Sequence, residues 1–549
     1  VTRQFLTFFL RFSHPLYPVL LSFGLGFLGA LSFAPLYVWP FLMLSFAGLF
    51  RLMIDQSLLR ALKLFFSWCF GFFLLSFHWV SFSLSVDWTQ FWFLLPLAAL
   101  GIPLIVSAVH VGILGMLLSV CQVFYFKGAS VFYAFLVSWG VAEYARETFL
   151  HFPWNFCVHV WGGFPSLMQS VSLWGAGTLS LLTLGLFISP HYSALTRNAS
   201  VRFKGFLPLS VFSLLFVGLW IMGKMRLQQI TATHHSAYVR LVQPNLPALL
   251  KRNFQQEKRN WKTLVRLSRE NNNSITHIIW PESALSYVRS AFSSEQLKAL
   301  LAPNKILMTG LVHRDLDNLY NSLMSVDAKG RFILLYHKQH LTPFGEYVPG
   351  RHFLSRFIPP TSLRALTMGF QDFTPGRGVK RVVQVKGLPP FMPLICFDTS
   401  FQDATLFKGD HRPLWLLEIT NNVWFGNSWA LPQHLDHGRF RAIEAGVPLV
   451  RCTNTGISAL ISPYGTLVHT LPRCSSGFLD IRLPKALPMP LYQTVRNTFF
   501  WALLSLMLSL LLYHRFQGFF KAVINQQRSR LKKASMSRKQ LKKKRKTRL

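Results

Sequence analysis

Three short segments of the 549-residue chain place a reactive side chain directly after an apolar stretch. THIIWPESAL carries Glu282, RFILLYHKQHLTPFGEYVP carries Lys338, and PFMPLICFDTSF carries Cys396. The preceding runs are short and rich in Ile, Leu, Val and Phe, which predicts buried strands. In a sheet-based α/β fold, groups at C-terminal strand ends converge with the following loops on one pocket. A carboxylate, an ammonium and a thiol brought together there support acyl transfer. Glu282 would take the thiol proton and later deprotonate the acceptor; Lys338 would favour the thiolate and stabilise the oxyanion; Cys396 would attack and hold the acyl group as a thioester. The backbone N–H of Phe397 would complete the oxyanion hole. Each residue also has a plainer role: Cys396 as core packing, Glu282 as a turn cap, Lys338 as a solvated strand end. Spacing alone does not choose between these.

The elements that must position such residues belong to two unlike regions. Hydrophobic residues make up 51% of the chain and charged residues only 14%, which describes a membrane protein. Runs long enough to cross a bilayer, about 20 residues each, occur near 16–34, 37–54, 61–85, 91–123, 129–148, 165–189 and 205–222. The fourth is either one long tilted helix or two short ones broken at Gly101 and Pro103. From about Thr231 the sequence turns water-soluble, with short strands and with amphipathic stretches at 253–268 and 435–446. A last apolar run, 498–513, precedes a basic tail. The expected division is a transmembrane region of about seven spans over 1–230, a catalytic domain over 231–484, a final span over 485–515 and a tail over 516–549.

Loop charge sets the orientation. With Arg3 and Arg11 in the cytoplasm, the loops carrying Arg51, Arg60 and Lys63, then Lys127, then Arg197, Arg202 and Lys204 also fall inside, as does the tail. The opposite loops hold few cations, with Arg146 between Glu143 and Glu147 a mixed case. This places the 231–484 domain outside the cytoplasm, with the first span as an uncleaved signal. The formal charge of +37 points to anionic lipid headgroups, above all for the tail, which lacks the interleaved aromatic residues of a single-strand nucleic-acid binder. Six cysteines without C-x-x-C or metal-like spacing argue against zinc and thioredoxin-type chemistry. Cys452 reads as core and Cys474 as a surface thiol.

WPES, YHKQHLTPFGEYVP and ICFD resemble the three catalytic blocks of the nitrilase superfamily. GFLGALSFAPLYVWP, NNVWFGNSWALPQHLDHGRFRAIEAGVPLVRCTNTGISALISPYG and the closing span narrow the resemblance to the bacterial apolipoprotein N-acyltransferase family. It implies a multi-span α-helical membrane bundle of about eight spans plus an α-β-β-α sandwich domain in the inner membrane, with the catalytic domain on the periplasmic side. It also implies transfer of an acyl chain from a phospholipid donor to the N-terminal amine of a diacylated lipoprotein acceptor, without metal or organic cofactor. By motif position Glu282 is the base, Lys338 the oxyanion stabiliser, Glu346 a second acid that orients the lysine, and Cys396 the nucleophile, with Phe397 and Asp398 supporting. Asp398 stands where the family usually has Glu, Asn422 where it has Asp, Pro244 where Gly is usual and Arg252 where a Trp is frequent. A membrane-tethered amidase and a non-catalytic lipid-binding scaffold are the competing readings.

Other residues carry weaker expectations. The apolar stretch 351–369 suggests a membrane-dipping lid over a water-sensitive thioester. His78 and His110, inside apolar spans, suggest neutral imidazoles bonded to a neighbouring helix. Trp154 and Trp161 suggest an interfacial aromatic belt. His434, Arg441 and Glu444 suggest salt bridging on one helix, and Asn321 and Ser322 in LYNS suggest lining of the site. The GLGFLG glycines suggest a helix-packing surface.

Overall fold

The computed structural model describes residues 16–84, 92–196, 206–229, 234–246, 254–270, 274–285, 300–301, 305–356, 371–377, 382–407, 412–517 and 527. The basic tail, Arg252 and most of the 351–369 stretch lie outside them. Among the described residues, five helices are long and apolar enough to cross a membrane: Leu58–Ser76, Leu97–Val120, Val171–His191, Leu207–Gln228 and the closing Thr498–Gln517. Tyr17–Ala30 and Trp39–Met53 are apolar but shorter. Leu97–Val120 is a single helix, and its first turn, Leu97–Gly101, is π-helical, which accommodates Pro103 without a break. Ala129–Thr148 is helical throughout. Glu143 and Arg146 are therefore not loop residues: both are buried on this helix.

Small residues let the first helices approach closely. A methyl group on Gly26 would stand 1.9 Å from the Trp68 carbonyl oxygen, and one on Gly71 would stand 2.2 Å from that of Phe23. Only glycine fits between the Tyr17–Ala30 and Leu58–Ser76 backbones at that spacing. Ser22 donates to the Leu64 carbonyl and the Trp68 indole N–H to Ser45, so the polar groups in this seam are satisfied.

The second region contains two sheets. The first has the order β11-β1-β2-β3-β4-β5 and the second β10-β9-β8-β7-β6. Their strands are β1 His234–Gln243, β2 His277–Ile279, β3 Ile306–Asp315, β4 Asn318–Asp327, β5 Phe332–His337, β6 Phe391–Ile395, β7 Trp415–Thr420, β8 Leu449–Thr453, β9 Ser458–Ile461, β10 Leu467–Leu471 and β11 Gly477–Pro484. β1, β2 and β3 run parallel, as do β6, β7 and β8. Two antiparallel steps, β3 to β4 and β4 to β5, bring β5 back to the direction of β2. The C-terminal ends of β2 and β5 therefore lie at one edge.

The strand period of two sorts side chains between layers. In β6 and β7, Ile395, Leu417 and Ile419 join Leu241 and Ile279 of the first sheet in the core between the sheets. The alternate residues Met392, Leu394 and Leu416 face away and pack with the helix Ala430–Ala445. On the far side of the first sheet, Leu264 and Leu267 of the helix Phe254–Arg269 pack on Val242, Ile278 and Leu307. The result is helix, sheet, sheet, helix. The core under Ala430–Ala445 continues without interruption into the helical region, so that helix is buried on both sides.

Candidate functional site

Glu282 lies three residues beyond β2, in the turn after Trp280-Pro281. Gly310 of β3 passes so close that a methyl group there would be 2.5 Å from the Glu282 Cα. One Glu282 oxygen accepts from the Asn321 amide at 2.6 Å, and the other from the Asn421 backbone N–H at 2.7 Å. The same Asn321 amide nitrogen donates to Glu346 at 2.7 Å. Lys338, the residue after β5, ion-pairs with the second Glu346 oxygen at 2.7 Å, and that oxygen also accepts the Thr342 N–H at 2.8 Å. Glu282, Asn321, Glu346 and Lys338 thus form one connected, buried cluster.

Burial pushes the Glu282 carboxyl above the ordinary carboxylate range; the Lys338 charge pulls it back and Glu346 adds to the rise. Burial works against the Lys338 ammonium, yet Glu346, then Cys396 and Glu282, outweigh it and hold the amine above the usual lysine range. The lysine is a fixed cation.

Cys396 follows β6 at the start of the short 3-10 helix Cys396–Ser400, and its φ is +52°. That left-handed conformation is strained for a non-glycine residue, at a cost of roughly 1–3 kcal/mol. Asp398 stabilises the bend: one oxygen accepts the Ile395 N–H at 3.0 Å, and the other accepts the His340 N–H at 2.9 Å, which ties the elbow to the Lys338 loop. The shorter carboxylate of Asp398 therefore reaches two backbone partners. Burial pushes the Cys396 thiol well above its ordinary range, helped by Glu282 and opposed by Lys338 and a hydrogen bond with Thr420. Thr420 ends β7, opposite Cys396, and the next residue is the Asn421 that donates to Glu282.

Behind the elbow lies a second buried network. Arg451 of β8 pairs with Glu418 of β7, and the same Glu418 oxygen lies 3.0 Å from the Thr399 hydroxyl oxygen. Arg451 further contacts the Asn422 carbonyl oxygen at 3.3 Å and His434 Nδ1 at 3.0 Å. Asn422 thereby serves as an acceptor for Arg451.

The helical region reaches this elbow. Phe397 is stacked on Trp154, with centroids 6.1 Å apart and planes 8° apart, and Trp154 in turn packs on Trp79 and Phe425. Trp154 and Trp161 are not an interfacial belt: both are buried. The Trp154 indole N–H donates to Gln433 at 2.7 Å and the Trp161 N–H to Thr183 at 2.8 Å. Other bonds join Ala430–Ala445 to the helices: Gln433 to the Ala34 carbonyl, Tyr37 to Asp436, Arg439 to the Gly162 carbonyl, and Glu444 to the Ala176 N–H.

The carbon-nitrogen hydrolase family model matches residues 238–486, and the model for the apolipoprotein N-acyltransferase N-terminal domain matches residues 25–189. The apolipoprotein N-acyltransferase of Rhodopseudomonas palustris is 30% identical over 518 residues, covering 89% of this chain and 94% of the relative. The chain belongs to the apolipoprotein N-acyltransferase family. The enzyme of that name from Bradyrhizobium diazoefficiens is 31% identical over 87% of this chain and 91% of its own. A CN-hydrolase superfamily protein of Xanthomonas campestris aligns with 48% of this chain and 96% of its own at 17% identity, with a TM-score of 0.33. Membership makes this a bacterial membrane protein and an acyltransferase of the nitrilase superfamily, in which a helical region with several candidate spans accompanies a nitrilase-like α/β sandwich.

The weaker expectations meet mixed outcomes. Asn321 is the bridge between two carboxylates, and Ser322 bonds the His337 ring at 2.8 Å. His110 and His78 bond carbonyls of their own helical turn, Val106 and Leu75, rather than a neighbouring helix. Arg441 and Glu444 do pair, at 3.0 Å, whereas His434 joins the elbow network. Cys452 is buried and Cys474 exposed. Sequence reasoning missed Thr399, Glu418 and Arg451; an Arg and a Glu inside apolar strands were the available signal, since buried charges persist only in pairs.

Proposed function

We propose that the protein moves a fatty acyl chain from a phospholipid, through a thioester on Cys396, to the N-terminal amine of diacylglyceryl-cysteine in an apolipoprotein. The observation that carries this reading is the buried Glu282–Asn321–Glu346–Lys338 cluster coupled to a strained thiol whose neighbour, Phe397, is seated on aromatic residues of the helical region. Glu282 takes the Cys396 proton as sulfur attacks the ester carbonyl. The developing oxyanion is stabilised by the Lys338 ammonium and the Phe397 N–H. Collapse breaks the ester bond, and the lysophospholipid oxygen leaves with the proton held by Glu282. The acceptor amine then attacks the thioester, Glu282 removes its proton, and the thiol is restored. Glu346 keeps the lysine in place, and Asp398 keeps the elbow.

Both substrates are lipids, and exposing their chains to water would cost about 0.8 kcal/mol per CH₂. That supports a site at the bilayer surface, with the catalytic domain on the periplasmic side of the inner membrane and about eight spans in all. Seven of these precede the domain and one follows it.

Intact-protein mass spectrometry after incubation with phospholipid tests the proposal. One acyl chain should add to Cys396, be released by hydroxylamine, and be absent from Cys396→Ala. A diacylated lipopeptide should then discharge it. No adduct on the wild type would overturn the proposal, and equal discharge without any amine would make the protein a hydrolase instead.

A further inference from the structure

The peptide unit joining Cys396 to Phe397 is a rigid plane, so whatever holds its carbonyl also aims its N–H. Two buried side chains hold that carbonyl: the Thr399 hydroxyl at 2.8 Å, whose one hydrogen is divided between the carbonyl and Glu418 Oε1 at 3.0 Å, and His434 Nε2, which lies 3.3 Å from the carbonyl and 3.2 Å from Thr399 Oγ1. The His434 tautomer is set from the other side, where Nδ1 faces Arg451 Nη2 at 3.0 Å and the Asn422 amide nitrogen at 3.2 Å. Two donors on Nδ1 leave Nε2 to carry the ring hydrogen. Burial, then the Arg451 charge, drives the imidazole well below its ordinary range, so it stays neutral. The ring is clamped between Trp154, at 5.9 Å, and Phe425, at 5.4 Å.

We propose that His434 is a positioning residue that, with Thr399, fixes the Cys396–Phe397 peptide so that the Phe397 N–H points at the oxyanion. This rests on the reading of Cys396 as nucleophile and deepens it. His434 itself neither gives nor takes a proton. The titratable and charged groups around it are Arg451, Glu418 at 3.8 Å, Lys338, Cys396 and the His437 ring at 6.1 Å.

An oxyanion forms when the thiol attacks an ester but not when it is alkylated, and the test uses that difference. Detergent-solubilised full-length protein is treated with a p-nitrophenyl ester of a long-chain fatty acid and, separately, with iodoacetamide, and the rate of Cys396 modification is followed by mass. His434→Leu should slow acylation about 10- to 100-fold while changing alkylation by less than about threefold, and His434→Gln, which retains a donor, should recover most of the loss. Thr399→Val should behave as His434→Leu does, in the same direction. The acidic limb of the acylation profile should keep its midpoint in His434→Gln. Equal slowing of both reactions, an unslowed His434→Leu, or a Gln variant as slow as Leu would overturn the proposal, as would a shifted acidic limb. If His434→Leu does not fold, Thr399→Val decides by the same criterion. A wild type acylated by the activated ester but not by phospholipid would overturn the lipid donor while leaving the role of His434 testable; one acylated by neither overturns both.

Discussion

At the scale of single residues, Asn321 is the most exposed to test. Its one amide nitrogen stands 2.6 Å from Glu282 and 2.7 Å from Glu346, so it keeps two carboxylates apart in function while holding them together in space. Asn321→Leu leaves both without that donor, and one of them then takes up a proton. Single-turnover acylation of Cys396 should fall about 100-fold, with the fold retained. The pH dependence follows from the same cluster. In the proposed mechanism Glu282, raised by burial, must be ionised to accept the thiol proton, so acylation should be lost as pH falls through a midpoint above the ordinary carboxylate range. Lys338, held above its ordinary range, should contribute no alkaline limb below about pH 10. A rate profile with a falling limb between about pH 8 and about pH 10, below the free lysine value of about 10.4, would contradict the assigned charge state.

At the scale of elements, strand ends do the positioning, and this was the part most legible in the sequence. Glu282, Lys338 and Cys396 each follow a short apolar run: β5 and β6 end directly before Lys338 and Cys396 and β2 ends three residues before Glu282, but β5 is an edge strand with Phe332, Ile333 and Leu335 exposed rather than the buried strand expected. What escaped was whatever depends on a partner far along the chain. Trp154 bonds Gln433, 279 positions away, and looks locally like any lipid-facing aromatic residue; only the fold reveals that its neighbour is the helix Ala430–Ala445. Glu418 and Arg451 sit on two strands that pair only in the folded sheet. Gly310 is a comparable case. Its backbone N–H donates to the Pro281 carbonyl at 3.2 Å, and no side chain fits between β3 and the Glu282 turn. Gly310→Ala should displace Glu282 and lower the acylation rate by roughly 100-fold, and a crystal or cryo-EM structure of the variant should show the turn moved rather than the strand lost.

At the scale of the whole molecule, orientation across the membrane can be read without engineering. Of the six cysteines, Cys474 is exposed and the other five are buried. A membrane-impermeant maleimide applied to intact spheroplasts should therefore label the wild-type protein at Cys474, and Cys474→Ser should abolish the labelling. Labelling that appears only in inside-out vesicles would reverse the proposed topology.

The helix Ala430–Ala445 touches the sheet with one side and the membrane-region segments around Tyr37, Trp154 and Gly162 with the other. Its side chains are thus matched at once to two parts of the chain hundreds of positions apart. A chimera that grafts the sandwich of one relative onto the helices of another breaks that match together at Gln433, Asp436, Arg439 and His437, whose ring packs on Trp154 and His159. To restore it, the graft has to carry the donor's segments 34–40 and 152–163 along with the sandwich.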